Sequence, residues 1–206
     1  MTAAAERQAL YRELVLSAAE REFGRVGFAD TKMAAVAHAA DLSLTTVYKT
    51  FAGKGEIWNE LHAQRMQGLL GLVESRTTAA DSPLERLLAG IAGVAEYLTD
   101  HDAYLELNLR SASGWLAAAE ATGVQRTIWA AGVDMIASGV DGSRAAGELT
   151  DIRTRVATGL IISALQVWLA DWVDSGRDRD PDVVIAELVS HLRVLLTAPA
   201  HPPAAR

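Results

Sequence analysis

The chain has no cysteine among its 206 residues, and this absence removes several kinds of site at once. Disulfides, thiolate metal sites and a cysteine nucleophile are excluded, which is compatible with a reducing compartment. Residues 1–14 also lack the basic segment and apolar run of a secretion signal. We therefore expect a cytoplasmic protein.

Motifs for catalysis are equally scarce. No glycine-rich phosphate loop and no purposeful carboxylate pair is found, and the histidines lack the paired spacing of metal ligands. We predict that the protein is not an enzyme and needs no metal or cofactor. The scattered histidines are His38, His62, His101, His191 and His201.

Strand and membrane signals are also missing. No segment alternates apolar and polar residues in the manner of a strand, so we predict an all-α fold. The longest apolar stretch, residues 156–173, reaches membrane length but carries Ser163, Gln166 and Asp171. We interpret it as a buried helix and expect no membrane partner.

Two short helical patterns joined by a tight turn are present within residues 31–54. Met33, Val36, Ala37 and Ala40 recur at helical intervals and form a narrow apolar face. Alanines on this face allow a second helix to cross nearby. The pattern predicts one short helix that ends just before a turn.

The second pattern begins after Ser43, whose hydroxyl can accept from backbone N–H groups as an N-cap. Val47 and Phe51 form its inner face, which leaves hydroxyls, a tyrosine and a lysine outside. Such side chains bind phosphate oxygens, and a leucine or threonine methyl can touch a thymine methyl. We predict a helix-turn-helix whose second helix reads the major groove, although periodicity alone leaves an ordinary helical hairpin open.

The order of these residues resembles the tetracycline-repressor (TetR) family of transcriptional regulators over roughly the first sixty residues. The matching positions are Gly27-Phe28, Thr31, Val36-Ala37, Ala40-Asp41-Leu42-Ser43, Thr46-Val47-Tyr48, Phe51 and Lys54. The resemblance implies a dimeric regulator, usually a repressor, that binds a near-palindromic double-stranded DNA operator and is released by a small-molecule effector. The predicted DNA-binding residues are Thr31, Lys32, Ser43, Leu44, Thr45, Thr46, Tyr48, Lys49 and Lys54.

Three positions depart from the family pattern. Asp41 replaces the usual turn glycine, Lys32 stands where a second hydroxyl is common, and Gly55 stands where an acidic residue is usual. The net charge of −7 also disfavours a polyanion partner, although residues 1–62 carry seven Lys or Arg against eight Asp or Glu. These features keep an alternative open, a helical small-molecule-binding or scaffold protein with a degenerate DNA-binding head.

Helix signals divide the remaining chain into about nine helices in all. Ser82-Pro83 and Asp180-Pro181 read as helix starts, with a cap followed by a first-turn proline. We predict a three-helix DNA-binding domain at residues 1–53, a larger helical ligand-binding and dimerisation domain at 54–198, and a disordered tail at 199–206.

Two further sites are predicted in the larger domain. Aromatic and polar side chains on the middle helices suggest a largely apolar effector pocket, although each aromatic residue taken alone is more often part of an ordinary core. The predicted pocket residues are His62, Met66, Tyr97, Tyr104, Asn108, Arg110, Trp115, Trp129 and Trp168. The last two helices have apolar residues on more than one side, which predicts a four-helix dimer interface formed by Leu165, Leu169, Trp172, Leu188, Val189, Leu192 and Leu196.

Overall fold

A computed structural model describes residues 3–110 and 124–198, including their side chains except those of 124–129. Every regular element within these ranges is an α-helix, so the predicted all-α class is confirmed. The described helices are α1 (Ala3–Val26), α2 (Met33–Ala39), α3 (Leu44–Thr50), α4 (Lys54–Thr77), α5 (Pro83–Thr99), α6 (Asp102–Leu109), α7 (Val124–Ala145), α8 (Thr154–Asp174) and α9 (Pro181–Thr197).

The chain forms two compact units. One comprises Met1–Gly68 and His101–Ala112, and the other comprises Leu69–Asp100 and Ser113–Arg206. The first unit therefore contains α1 to α3, the first part of α4, and α6. The functional boundary at residue 53 stays a prediction, and the predicted tail at 199–206 lies outside the described residues.

Helix α1 carries the core of the first unit. Val15 and Phe23 are fully buried, and α6 packs along the same helix. Gly24 lies inside α1, and Gly27 ends the helix with φ +84°. A Cβ on Gly24 would lie 2.7 Å from the backbone oxygen of Ala103 on α6. Gly24 is therefore needed for the close approach of two helices.

A methyl group at this position has no room. We expect Gly24→Ala to lower the free energy of unfolding by about 1–3 kcal/mol, because the obstacle is a backbone atom that cannot rotate away. The higher helix propensity of alanine offsets less than about 1 kcal/mol of this. Urea unfolding of both proteins measures the difference.

Gly55→Ala is the matched control for Gly24→Ala. Gly55 is exposed in the first turn of α4, and a Cβ there would meet nothing within 4 Å. This variant should gain up to about 1 kcal/mol from helix propensity. Equal stabilisation by both substitutions would show that the approach of α1 and α6 is not tight.

The second unit is built on two helices whose starts were predicted. Ser82 Oγ accepts from Glu85 N at 3.3 Å at the start of α5, and Asp180 Oδ1 accepts from Asp182 N at 2.9 Å at the start of α9. Both caps are confirmed. In this unit α5 packs against α7, α8 and α9, and α8 packs against α7 and α9.

Helix α7 continues to Ala145, through a segment that contains Gly139 and Gly142. Val140 is fully buried, and Ser143 Oγ donates to Gly139 O at 2.8 Å. The helix ends only near Gly147, whose φ of +73° is left-handed. Burial of Val140 therefore outweighs the low helix propensity of the nearby glycines.

Helix α8 is the only described helix long and apolar enough to cross a membrane by length and composition. Ile161 and Leu169 on its inner side are fully buried, and the helix contacts three others in its unit. A core helix passes the same test of length and composition, and we interpret α8 as one.

Candidate functional site

The two short helices α2 and α3 are joined by the four residues 40–43. Asp41 has φ +54°, so it occupies the left-handed conformation that glycine usually supplies. Leu42 N donates to Ala37 O at 3.0 Å and closes the end of α2. Ser43 Oγ then accepts from Thr46 N at 3.0 Å, so the predicted N-cap of α3 is confirmed. The departure at Asp41 does not prevent the turn.

Helix α3 has a buried side and an exposed side. Val47 is fully buried and Thr50 is buried, with Thr50 Oγ1 donating to Thr46 O at 2.9 Å. The exposed side presents Tyr48, which is 51% exposed, together with three other side chains predicted to bind DNA. These are Leu44, Thr45 and Lys49. An exposed helix face with a phenol, a hydroxyl and an ammonium suits the major groove.

Two predicted contact residues do not lie on this exposed side. Thr31 is 4% exposed, and its Oγ1 donates to Gly27 O at 2.8 Å and lies 3.2 Å from Glu22 O. Lys54 Nζ donates to three backbone carbonyls that precede α2. As arranged here, both side chains hold the polypeptide together rather than offer free donors. These bonds disfavour the predicted DNA contacts of Thr31 and Lys54, which stay predictions.

The remaining predicted residues lie near the turn. Lys32 is exposed immediately before α2, and Ser43 is exposed before α3. Thr46 Oγ1 lies 2.8 Å from Ser43 Oγ, so these two hydroxyls bond to each other. This bond uses the hydrogen of one hydroxyl, so the other hydroxyl can still donate to a phosphate.

The start of α4 is capped despite glycine at position 55. Glu56 Oε2 accepts from Ala52 N at 2.6 Å, one residue after the position where the acidic residue was expected. The carboxylate also lies in the first helical turn, where negative charge is favourable. The acidic side chain that is missing at position 55 is thus replaced by the carboxylate of Glu56.

Arg12 on α1 was missed by the sequence analysis. Its Nε donates to Glu60 Oε1 at 3.0 Å, its Nη2 pairs with Glu60 Oε2, and its Nη1 donates to Thr50 O at 3.2 Å. The guanidinium lies 4.5 Å from the centre of the Phe51 ring. The hydrogen bonds to Glu60 raise the pKa of Arg12 above its usual value. No local pattern marks this residue, because its partners are 38 to 48 positions away.

An aromatic cluster fills the first unit between α1, α4 and α6. The Phe28 and Trp58 ring centres are 4.5 Å apart, and those of Phe23 and Trp58 are 5.4 Å apart. His62 lies 4.3 Å from Trp58 between ring centres, and its Nδ1 is 2.9 Å from Tyr104 Oη. Burial lowers the pKa of His62 to about 4, so the imidazole is neutral near pH 7.

Part of the predicted effector pocket is thereby brought together. His62 and Tyr104 are in contact, and Asn108 Nδ2 donates to Tyr104 O at 2.6 Å. Met66 is half-buried in the same unit, whereas Arg110 is exposed. The pocket itself stays a prediction.

The aromatic residues assigned to the pocket have different positions. Tyr97 is 7% exposed in the second unit. Trp168 is half-buried there, with its ring centre 5.3 Å from that of His191 on α9. Trp115 and the side chain of Trp129 lie outside the described residues.

The residues predicted for the dimer interface lie mostly in the interior of the chain, which disfavours a prediction that stays untested. Six are buried within the chain itself, none more than 5% exposed, and Val189 is half-buried. A side chain already covered by its own chain has almost no area to lose when a partner binds. The six are Leu165, Leu169, Trp172, Leu188, Leu192 and Leu196.

Other apolar residues form an exposed face on the same two helices. Val156, Leu160 and Val167 recur at intervals of four and seven residues, so they lie on one side of α8. Val194 is 65% exposed and Leu195 is 45% exposed on α9. We call these five residues the exposed face of α8 and α9.

Metal ligands do not cluster in residues 3–110 and 124–198. No group of three or more histidine, aspartate or glutamate side chains in these ranges could hold a metal ion.

The turn, the capped second helix and its exposed polar side define a helix-turn-helix DNA-binding domain. Residues 15–61 match the family model described as bacterial regulatory proteins, tetR family. The resemblance inferred from the sequence is confirmed over this segment. No curated protein of similar sequence was found.

Solved structures extend the likeness to most of the chain. The ketosteroid transcriptional regulator KstR2 of Mycobacterium tuberculosis aligns with TM-score 0.74 and 17% identity, covering 90% of this chain and 94% of its own. FadR from Bacillus subtilis in complex with stearoyl-CoA aligns with 0.70 and 18%, covering 92% and 99%. AibR in complex with isovaleryl coenzyme A and operator DNA aligns with 0.71 and 18%, covering 92% and 100%. At these identities the likeness is one of fold.

Proposed function

We propose that this protein is a ligand-responsive transcriptional regulator, a repressor that binds a near-palindromic operator as a homodimer in the cytoplasm. The observation that carries the proposal is the exposed side of α3, where Tyr48 and Lys49 extend from a capped helix whose other side is buried. The solved complex of AibR with operator DNA supports the same use of the fold. A binding role, rather than catalysis, is what this surface suits.

Phosphate contacts on this surface are few. Lys32 and Lys49 are exposed in the helix-turn-helix, whereas Lys54 is occupied by backbone carbonyls. One such domain would therefore bind DNA weakly, since each phosphate contact adds a limited electrostatic gain. Two domains in a symmetric dimer would read two half-sites and supply the missing affinity.

The dimer is proposed to form through the exposed face of α8 and α9. Trp168 and His191 join the two helices beside it. Contiguous exposed apolar residues are unfavourable in water and mark surfaces of association. A two-fold axis would place this face against itself, so each apolar stripe meets a complementary one.

The effector is proposed to be a small, largely apolar molecule that shifts the dimer between two arrangements. A hundredfold change in DNA affinity requires about 2.7 kcal/mol of differential binding, which burial of a modest apolar group supplies. Stearoyl-CoA and isovaleryl coenzyme A, bound by two of the similar structures, are the first compounds to titrate against the DNA complex.

DNA binding is tested by random-sequence selection with the purified protein, followed by affinity measurements at several salt concentrations. We expect a selected site with inverted symmetry and binding that weakens steeply with salt. Tyr48→Ala should weaken binding on the order of tenfold. The slope of log affinity against log salt is negative, and Lys49→Met should reduce its magnitude by about 0.9 per subunit.

Arg155→Met serves as the control, because Arg155 is an exposed cation of the second unit. Its affinity and salt slope should equal those of the unsubstituted protein. Failure of the unsubstituted protein to enrich any sequence would refute the proposed regulator function and favour a helical binding protein with an inactive head.

A further inference from the structure

The ammonium group of Lys54 is fully occupied by backbone carbonyls. Nζ lies 2.5 Å from Phe28 O, 2.8 Å from Ala29 O and 2.9 Å from Thr31 O. It also lies 4.6 Å from the centre of the Phe28 ring, within the range of a cation–π contact. A lysine ammonium has three hydrogens and accepts none, so these three bonds use its whole capacity.

The three carbonyls belong to the segment that leads into α2. This segment begins at Gly27, with φ +84°, and Thr31 within it is buried. The N-cap of α2, Lys32, makes no side-chain capping bond. Lys54 therefore supplies, from the first residue of α4, a second fixed point for the start of α2 beside the hydrogen bonds of Thr31.

Arg12 binds the polypeptide at the end of α3, as Lys54 does before the start of α2. It donates to the carbonyl of Thr50, the last residue of α3, and its guanidinium covers the Phe51 ring. Glu60 on α4 holds the guanidinium through two hydrogen bonds. One cation thus fixes the segment before α2, and the other fixes the end of α3.

We propose that Lys54 and Arg12 are positioning residues for DNA binding, which orient α2 and α3 from behind and do not contact phosphate. This inference rests on the proposed DNA-binding function. It separates the cations of the domain by role, since Lys32 and Lys49 remain exposed while Lys54 and Arg12 bind the polypeptide. The loss of a positioning cation should misplace α3, but it should not remove a contact with a DNA phosphate and so should not change the number of counterions released on binding.

Salt dependence distinguishes the two roles, because only a phosphate contact contributes to the slope of log affinity against log salt. The probe is the duplex selected by the unsubstituted protein. Lys54→Met should weaken binding about tenfold at every salt concentration and change the slope by less than half as much as Lys49→Met. Lys49→Met should lower the slope by about 1.8 for a dimer, at about 0.9 for each phosphate.

Lys54→Arg provides a second test that keeps the charge. A planar guanidinium does not reproduce an ammonium pointing at three carbonyls, so this variant should also bind about tenfold more weakly. Arg12→Lys should behave in the same way, because lysine cannot bond to both Glu60 and Thr50 through a planar fork. All variants are compared below their unfolding temperatures, and if Lys54→Met does not fold, the two charge-conserving variants decide.

Two results would overturn the inference. In one, Lys54→Met lowers the salt slope as much as Lys49→Met, and Lys54→Arg binds like the unsubstituted protein. In the other, none of the three positioning variants changes affinity. Neither result would contradict the proposed function, which is refuted only if the unsubstituted protein selects no DNA.

Discussion

Replacing Val167 by glutamate is expected to convert the dimer into monomers. Val167 is 60% exposed and belongs to the exposed face of α8 and α9, so the substitution leaves the interior of the chain untouched. In a symmetric dimer both copies would bury the new carboxylate among apolar side chains, without a partner. An unpaired buried charge costs several kcal/mol, so the dimer dissociation constant should rise at least about a hundredfold.

Sedimentation equilibrium over a range of protein concentrations measures this change. Thermal unfolding of Val167→Glu as a monomer should show that the fold persists, because exposed substitutions rarely change stability by more than about 0.5 kcal/mol. Leu10→Glu, at an equally exposed leucine of α1, is the control and should remain dimeric. A Val167→Glu protein with an unchanged dissociation constant would show that the subunits associate through another surface.

Acidification between pH 6.5 and 4 should destabilise the fold through His62. The pKa of His62 is lowered by burial from 6.5 to about 4 in the folded protein. As the pH falls below 6.5, the unfolded chain binds a proton that the folded protein does not, so stability is present above this range and lost within it. The difference of about 2.5 pH units corresponds to about 3 kcal/mol by pH 4.

His62→Gln isolates this contribution, because glutamine can still bond to Tyr104 but does not titrate. We expect urea unfolding at pH 7, 6, 5 and 4 to show a steeper loss for the unsubstituted protein than for His62→Gln. His38→Gln, at an exposed histidine, should follow the unsubstituted protein. Parallel curves for all three proteins would mean that His62 is protonated as readily in the folded state as in the unfolded chain.

Much of the helix-turn-helix could be predicted because its determinants are local. Ser43 caps the helix that begins one residue later. The four-residue spacing of Val47 and Phe51 indicates which side of α3 is buried. The starts of α5 and α9 were readable for the same reason. Helix caps and helical periodicity depend on residues only a few positions apart, so both can be recognised in a short segment of the sequence.

The roles of charged residues in the same domain could not be predicted. Lys54 lies within the reading segment by sequence, but its ammonium binds carbonyls more than twenty positions earlier. Arg12 bonds to residues of α3 and α4, and the sequence around Arg12 does not predict these partners. A cation near a recognition helix is equally available to phosphate and to backbone carbonyls until the fold brings one of them into reach.

The sequence by itself determined the helical class, the position of the reading helix and the presence of apolar residues on more than one side of α8 and α9. Only the tertiary structure decided that Leu165 and Leu188 are interior while Val167 and Val194 are exposed. The sequence periodicity shows that a helix has more than one apolar side, but it does not show which side is buried. Packing against α5 and α7 decides which side is buried within the chain. The remaining side is then left for a partner.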